Sequence, residues 1–188
     1  MKKLIYILLL IVGSKAAYSQ DTGNDSYTIQ RLIIFNKKGD ILLQKHKNGW
    51  MTPALRHNTR TTTHEALSDL ASNFGLKTST PQLQGIFMYL HSDNKKPSFR
   101  QHYSSHLISG TLKVPEGMID VQWFPPNTAI LKMLDPKAKI VAAIGEMTKH
   151  ILNYPNIIWG GSYLLIKNDT KKTESKVIEN FYPIGRIE

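Results

Sequence analysis

The chain has 188 residues, 41% of them apolar and 20% charged, values of an ordinary globular domain that exclude a mainly disordered chain and a polytopic membrane protein. It has no cysteine, which excludes disulfides, zinc–thiolate sites, a thiol nucleophile and a lipid-modified N-terminal Cys. The net charge of +10 favours acidic partners, but the basic residues are scattered as pairs such as Lys37-Lys38 and Lys171-Lys172. No block of five like charges occurs, so no nucleic-acid partner is expected.

Lys2 and Lys3 precede an apolar run from Leu4 to Gly13, and Ala17-Tyr18-Ser19 places small residues before a cut after Ser19. This pattern predicts a secretory signal peptide over 1–19, and hence export to the periplasm or outside the cell. Ten apolar residues are too few for a span of roughly 20, so no stable membrane span is expected after cleavage. Removing Lys2, Lys3 and Lys15 leaves 21 basic against 14 acidic residues, a net +7. Residues 20–26 (QDTGNDS) are polar and are expected to be a linker.

Ile29–Phe35 and Ile41–Gln44, joined by Lys37-Lys38-Gly39-Asp40, predict a hairpin. Gly49–Pro53 is expected to be a loop with one large aromatic, Trp50. Thr62-Thr63-His64-Glu65 fits a capping box, Leu67, Leu70, Ala71 and Phe74 repeat at helical spacing, and Gly75 is a stop signal. The spacing predicts a helix over 63–74. Leu83–Leu90 and Tyr103–Leu112 predict strands around a long polar loop, 91–102, followed by a short strand at 121–124 that Pro125-Pro126 breaks. Ile140, Ala143, Ile144, Met147 and Ile151 predict a second helix within 137–152. Ile157–Ile166 and Lys176–Ile184 predict a C-terminal hairpin around a polar loop. Strands outnumber helices without regular alternation, which points to an α+β fold: a mixed sheet with helices on its faces.

Candidate chemistry is sparse. Seven histidines are present, but none forms an HExxH pattern, and His102 and His106, four apart in a predicted strand, would stand about 13 Å apart at ~3.3 Å per residue. They are expected to be exposed polar residues. No P-loop, GxGxxG or complete GxSxG motif occurs. Arg56, His57, Arg60 and His64 form a basic group before the first helix, suited to direct contact with an anion.

The opening hairpin, Gly49-Trp50-Met51-Thr52-Pro53, the helix ending in Phe74-Gly75-Leu76, and Trp123-Phe124-Pro125 before a late helix resemble the Nudix fold over about residues 27–154. The resemblance implies an α/β/α sandwich with a mixed central sheet over 27–155, and leaves 156–188 as a C-terminal β-hairpin extension packed on that domain. The family signature runs Gly, five residues, Glu, seven residues, Arg-Glu, an apolar residue, any residue, Glu-Glu, any residue, Gly and an apolar residue. Aligned on the helix end, Gly75, Leu76 and Leu70 match. Asp69 stands where the first helical Glu belongs and Ser68 where Arg belongs, while Ser72 and Asn73 replace the Glu-Glu pair. Further back, Arg60 replaces the isolated Glu and Ala54 the opening Gly; matching the Trp50–Pro53 loop instead shifts this part by one residue.

In the family the helix glutamates hold Mg²⁺ or Mn²⁺, a hard ion that needs several oxygen ligands. Here one carboxylate of that set remains, Asp69, with Glu65 one turn earlier on the same face. The expectation is therefore a Nudix-like protein without metal-dependent hydrolase activity and without a cofactor. It would bind a small anionic ligand or a partner near Arg56, His57, Arg60, Glu65 and Asp69. The alternative is a divergent hydrolase of nucleoside diphosphate derivatives, with Glu65 and Asp69 as its catalytic pair on Mg or Mn. A further reading gives the C-terminal hairpin a partner-binding role.

Overall fold

A computed structural model of the chain describes residues 27–93, 96–167 and 173–187. The predicted signal peptide and linker lie outside the described residues. Strands β1 (Thr28–Phe35), β2 (Ile41–His46), β3 (Gly49–Met51) and β4 (Ala54–His57) lead into helix α1 (Thr63–Asn73). Then follow β5 (Leu76–Thr78), β6 (Gln82–His91), β7 (Ser98–Gly110), β8 (Asp120–Phe124), helices α2 (Pro126–Met133) and α3 (Ala142–Asn153), and strands β9 (Ile157–Lys167) and β10 (Thr173–Arg186). The strands form one mixed sheet ordered β10-β9-β6-β7-β1-β2-β3, with β4 also on β1, β5 on β7 and β8 on β2. The β1–β7 and β6–β9 pairs are parallel and the rest antiparallel.

β1 lies inside the sheet and is buried on both sides, which is why it reads as a nearly continuous apolar run. Successive side chains point to opposite faces. Leu32 and Ile34 join Leu42, Leu67, Leu70 and Phe74 in a core under α1, whereas Ile33 joins Ile41, Leu43, Met133, Met147 and Trp159 in a core under α2 and α3. The result is the expected α/β/α sandwich, with α1 on one face and α2 and α3 on the other. The C-terminal hairpin continues the sheet, because β9 pairs along β6 from Gly85↔Trp159 to His91↔Leu165.

Helix α1 has the expected capping box: Glu65 N–H donates to Thr62 Oγ1 at 3.2 Å, and Thr62 N–H donates to Glu65 Oε2 at 2.8 Å. It ends at Gly75, whose φ of +76° suits a residue without Cβ.

Four expectations change. Gly49–Met51 pairs with β2 as a strand instead of looping. The strand ends at Phe124 as expected, but an unexpected helix, α2, follows at once, since the missing N–H of Pro126 suits its first turn. The late helix starts at Ala142, because Asp135 folds the preceding residues into a turn (Ala138 N–H to Asp135 O, 2.9 Å) and Asn48 O accepts from Lys139 N–H. β7 starts at Ser98, so the loop after β6 is shorter than 91–102 and His102 lies mid-strand. Its ring is wholly buried, which corrects the expectation of an exposed histidine. Among the described residues no helix is long and apolar enough to cross a membrane.

Candidate functional site

Two places were open to a site: the exposed face of α1, and the opposite side of the sheet under α3. On α1, Glu65 and Asp69 are both exposed. Glu65 Oε2 accepts from both the Thr62 amide and the Thr62 hydroxyl, at 2.8 and 2.9 Å. These bonds, the backbone one first, hold its carboxyl below the usual range. Ser72 donates to Ser68 O within the helix at 2.9 Å. Among the described residues no group of three or more His, Asp or Glu is placed to hold a metal ion. The donor set does not fit a hard divalent ion: one carboxylate is a helix cap, one stands alone, and the two positions after them are uncharged.

The basic residues before α1 separate. Arg56 and His57 are in β4 rather than in a loop. His57 Nε2 lies 3.0 Å from Thr61 O, which ties it to the turn that precedes the helix. Arg60 is exposed in that turn. Arg56 turns the other way: the strand register sets it beside Ile29, which is itself beside Arg100. Its guanidinium sits 3.7 Å from the centre of the Tyr27 ring. The structure thus brings Arg56 toward the α3 face and leaves His57, Arg60, Glu65 and Asp69 on the other side of β1 or at the helix start.

On the α3 face lies a cavity of about 260 Å³. Its floor is the sheet: Ile29 and Arg31 from β1, Arg100 and His102 from β7, Tyr89 from β6 and Leu165 from β9. Its roof is Val141, Ile144 and Met147, at i, i+3 and i+6 on the side of α3 that faces the sheet. The register explains the cluster. Ile29↔Arg100 and Arg31↔His102 are neighbours on parallel strands, and Phe87↔Arg100 extends the row to β6.

The polar groups in this cavity are unusually short of partners. Arg31, 6% exposed, donates through Nη1 to Thr52 O at 2.7 Å and to Thr52 Oγ1 at 3.1 Å. This gives the Gly49–Pro53 segment a role, as a clamp on that side chain. Arg100 stacks over Tyr89, 4.7 Å from ring centre to guanidinium carbon, and hydrogen-bonds the Tyr27 side chain, but its Nη1 is buried with no hydrogen-bond partner. The Tyr89 hydroxyl and both ring nitrogens of His102 are likewise buried without a well-formed hydrogen bond; the backbone at Arg100 is close enough to favour the charged His102 ring slightly. Buried polar groups are nearly always satisfied, and three of these atoms can donate (Arg100 Nη1, the Tyr89 hydroxyl and one nitrogen of the neutral His102 ring), so they mark a place for something that accepts hydrogen bonds.

The electrostatics agree. Among the described residues no carboxylate lines the cavity; Glu146, on the flank of α3, is the acid whose charge reaches Tyr89. Burial lowers Arg31 to about 10, opposed by Tyr89 and helped by Arg100. Burial also lowers Arg100. It drives His102 well below its ordinary value, with the charges of Arg31 and Arg100 adding to the effect. Tyr89 is raised to about 12, again chiefly by burial. At neutral pH the wall therefore holds two guanidinium cations, a neutral imidazole and a phenol. All can donate, and the strain of unmatched positive charge is relieved by an anion.

This site was not legible in the sequence. Its trace was present, since Arg31 interrupts the row Ile29, Ile33, Phe35 on one face of β1, and Arg100 and His102 share a face of β7. Joining these rows required the parallel β1–β7 pairing across about 70 residues.

No protein-family model matches the sequence, and no curated protein matches it. Solved structures do. A mutator MutT protein from Bacillus halodurans superposes with a TM-score of 0.57 at 13% identity, over 83% of this chain and 96% of the other. A NUDIX hydrolase from Nitrosomonas europaea gives 0.54 at 15% identity, over 68% of this chain and 89% of the other. A UDP-X diphosphatase gives 0.51 at 16% identity, over 79% and 71% respectively. The fold is the Nudix fold.

Proposed function

We propose that this chain is an exported Nudix-fold protein that has lost metal-dependent hydrolysis and binds a small anion directly. The observation that carries the reading is the cavity under α3, where the buried Arg31 and the half-buried Arg100 face one space and no carboxylate among the described residues lines it. A metal normally mediates between carboxylates and phosphate oxygens. Here the cations belong to the protein, so an anion needs no bridge. The degenerate box supports the same view, since Glu65 is engaged as a cap and Ser72 and Asn73 carry no charge. Export rests on the signal-peptide pattern of residues 1–19.

Calorimetric titration with Mn²⁺, paired with titration of inorganic phosphate and simple carboxylates, tests the reading. The expected result is saturable anion binding and no metal binding. One tightly held Mn²⁺ per chain would overturn it.

The runner-up is a divergent Nudix hydrolase, favoured by Glu65 and Asp69 standing one turn apart on the exposed face of α1. Metal-dependent phosphate release from nucleoside diphosphate derivatives, abolished in Asp69→Ala, would establish it.

A further inference from the structure

The cavity under α3 also limits what kind of anion it takes. Its polar and apolar parts are segregated. Arg31, Arg100, His102 and the Tyr89 hydroxyl gather on the sheet floor, while Ile29, Leu165, Val141, Ile144 and Met147 supply the rest of the wall. At about 260 Å³ it falls below the roughly 300–1,000 Å³ of sites for drug-sized ligands, which is small for a nucleoside diphosphate derivative. A fully hydrated ion such as inorganic phosphate would leave five aliphatic side chains facing its unsatisfied oxygens, at a cost in buried polar groups.

We propose that the ligand of this cavity is a small carboxylic acid with an apolar body, its carboxylate held by Arg31 and Arg100 and its hydrocarbon part seated against Val141, Ile144, Met147 and Leu165. The proposal rests on the reading that the cavity binds an anion without metal, and sharpens it.

The floor is built for a two-oxygen head. Arg31 is fixed by Thr52, so its guanidinium keeps one orientation. Arg100 is held over the Tyr89 ring, with Nη1 free of other bonds. A planar carboxylate accepts from two such forks at once. The Tyr89 hydroxyl and the single N–H of the neutral His102 ring supply further donors to the same head, while the other ring nitrogen is an acceptor. Ile29, Arg100, Val141 and Ile144 are only half-buried, whereas Arg31, Tyr89, His102 and Met147 are buried. This grades the cavity from an open side to a closed floor.

The test is a calorimetric titration of the full chain with acetate, butyrate, hexanoate, benzoate, inorganic phosphate and adenosine monophosphate. Each added methylene is expected to tighten binding about fourfold, the equivalent of ~0.8 kcal/mol, until the cavity is full. Hexanoate, four methylenes longer, should then bind roughly 200-fold more tightly than acetate on the same scale. Arg100→Gln should weaken every carboxylate at least tenfold, and Arg100→Lys should restore part of the loss. Ile144→Ala should weaken hexanoate several-fold more than acetate and so lower the ratio of the two affinities, whereas a general loss of folding would weaken both alike. If inorganic phosphate or adenosine monophosphate binds more tightly than hexanoate, or chain length has no effect, the apolar-acid assignment is overturned while metal-free anion binding stands. If no anion binds, or Arg100→Gln binds as the parent does, the underlying reading fails with it.

Discussion

Arg31→Met is the substitution whose outcome separates a binding residue from a structural one. A guanidinium lowered from 12.5 to about 10 by burial carries about 3 kcal/mol of unfavourable desolvation at neutral pH. Methionine removes that charge and fills similar volume. Against this, the buried Thr52 carbonyl loses its 2.7 Å donor, a loss of about 1–3 kcal/mol. The two effects leave the variant between neutral and about 2 kcal/mol more stable than the parent, although two hydrogen bonds disappear. Carboxylate binding should be lost in the same protein. The assay is urea unfolding followed by tryptophan fluorescence at pH 7, with midpoint and slope both fitted. The pH dependence has a definite sign. Arg31 is a base whose folded value is depressed, so its burial is unfavourable at every pH below about 10 and becomes less so as pH rises from there toward 12.5. The parent should therefore regain stability relative to the variant only in that alkaline window. A variant destabilised by more than about 1 kcal/mol at pH 7 would refute the reasoning, for it would mean that the charge is satisfied within the protein and has no need of an anion.

Other outcomes follow from the same structure. His102 is buried as a neutral ring and its folded value lies well below 6.5, so the unfolded chain takes up the proton first. Stability should fall as pH drops below 6.5, and His102→Gln should flatten that slope in acid unfolding curves. Thr62→Ala removes the cap of α1 and should cost about 1 kcal/mol in denaturant unfolding. Glu65→Gln should be destabilising at neutral pH, and the difference should vanish as pH falls through the depressed folded value of Glu65, because that carboxyl then protonates in the parent as well. Ser175 Oγ accepts from Ala143 N–H at 3.2 Å, capping α3 from β10; Ser175→Ala should speed hydrogen exchange at Ala143 and cost about 1 kcal/mol. On the proposed reading, Ser72→Glu with Asn73→Glu should bind Mn²⁺ more tightly than the parent, measurable by calorimetry.

Helix α1 was legible in the sequence nearly to the residue, with its cap at Thr62 and its stop at Gly75, because capping and i, i+4 spacing are local interactions whose partners lie a few residues apart. The same holds for β1, β6, β9 and the sandwich class, since two-residue and 3.6-residue periods record which faces are buried. The cavity was not legible. Arg31, Tyr89, Arg100, His102 and Ile144 meet only because β1 pairs in parallel with β7, β6 with β9, and α3 lies across them. In a hairpin the turn fixes the register, but β1 and β7 are joined by no tight turn, so their partnership depends on which faces the whole sheet buries. Arg31 and Arg100 looked like polar interruptions in strands, and the tertiary fold alone turned them inward to the same space.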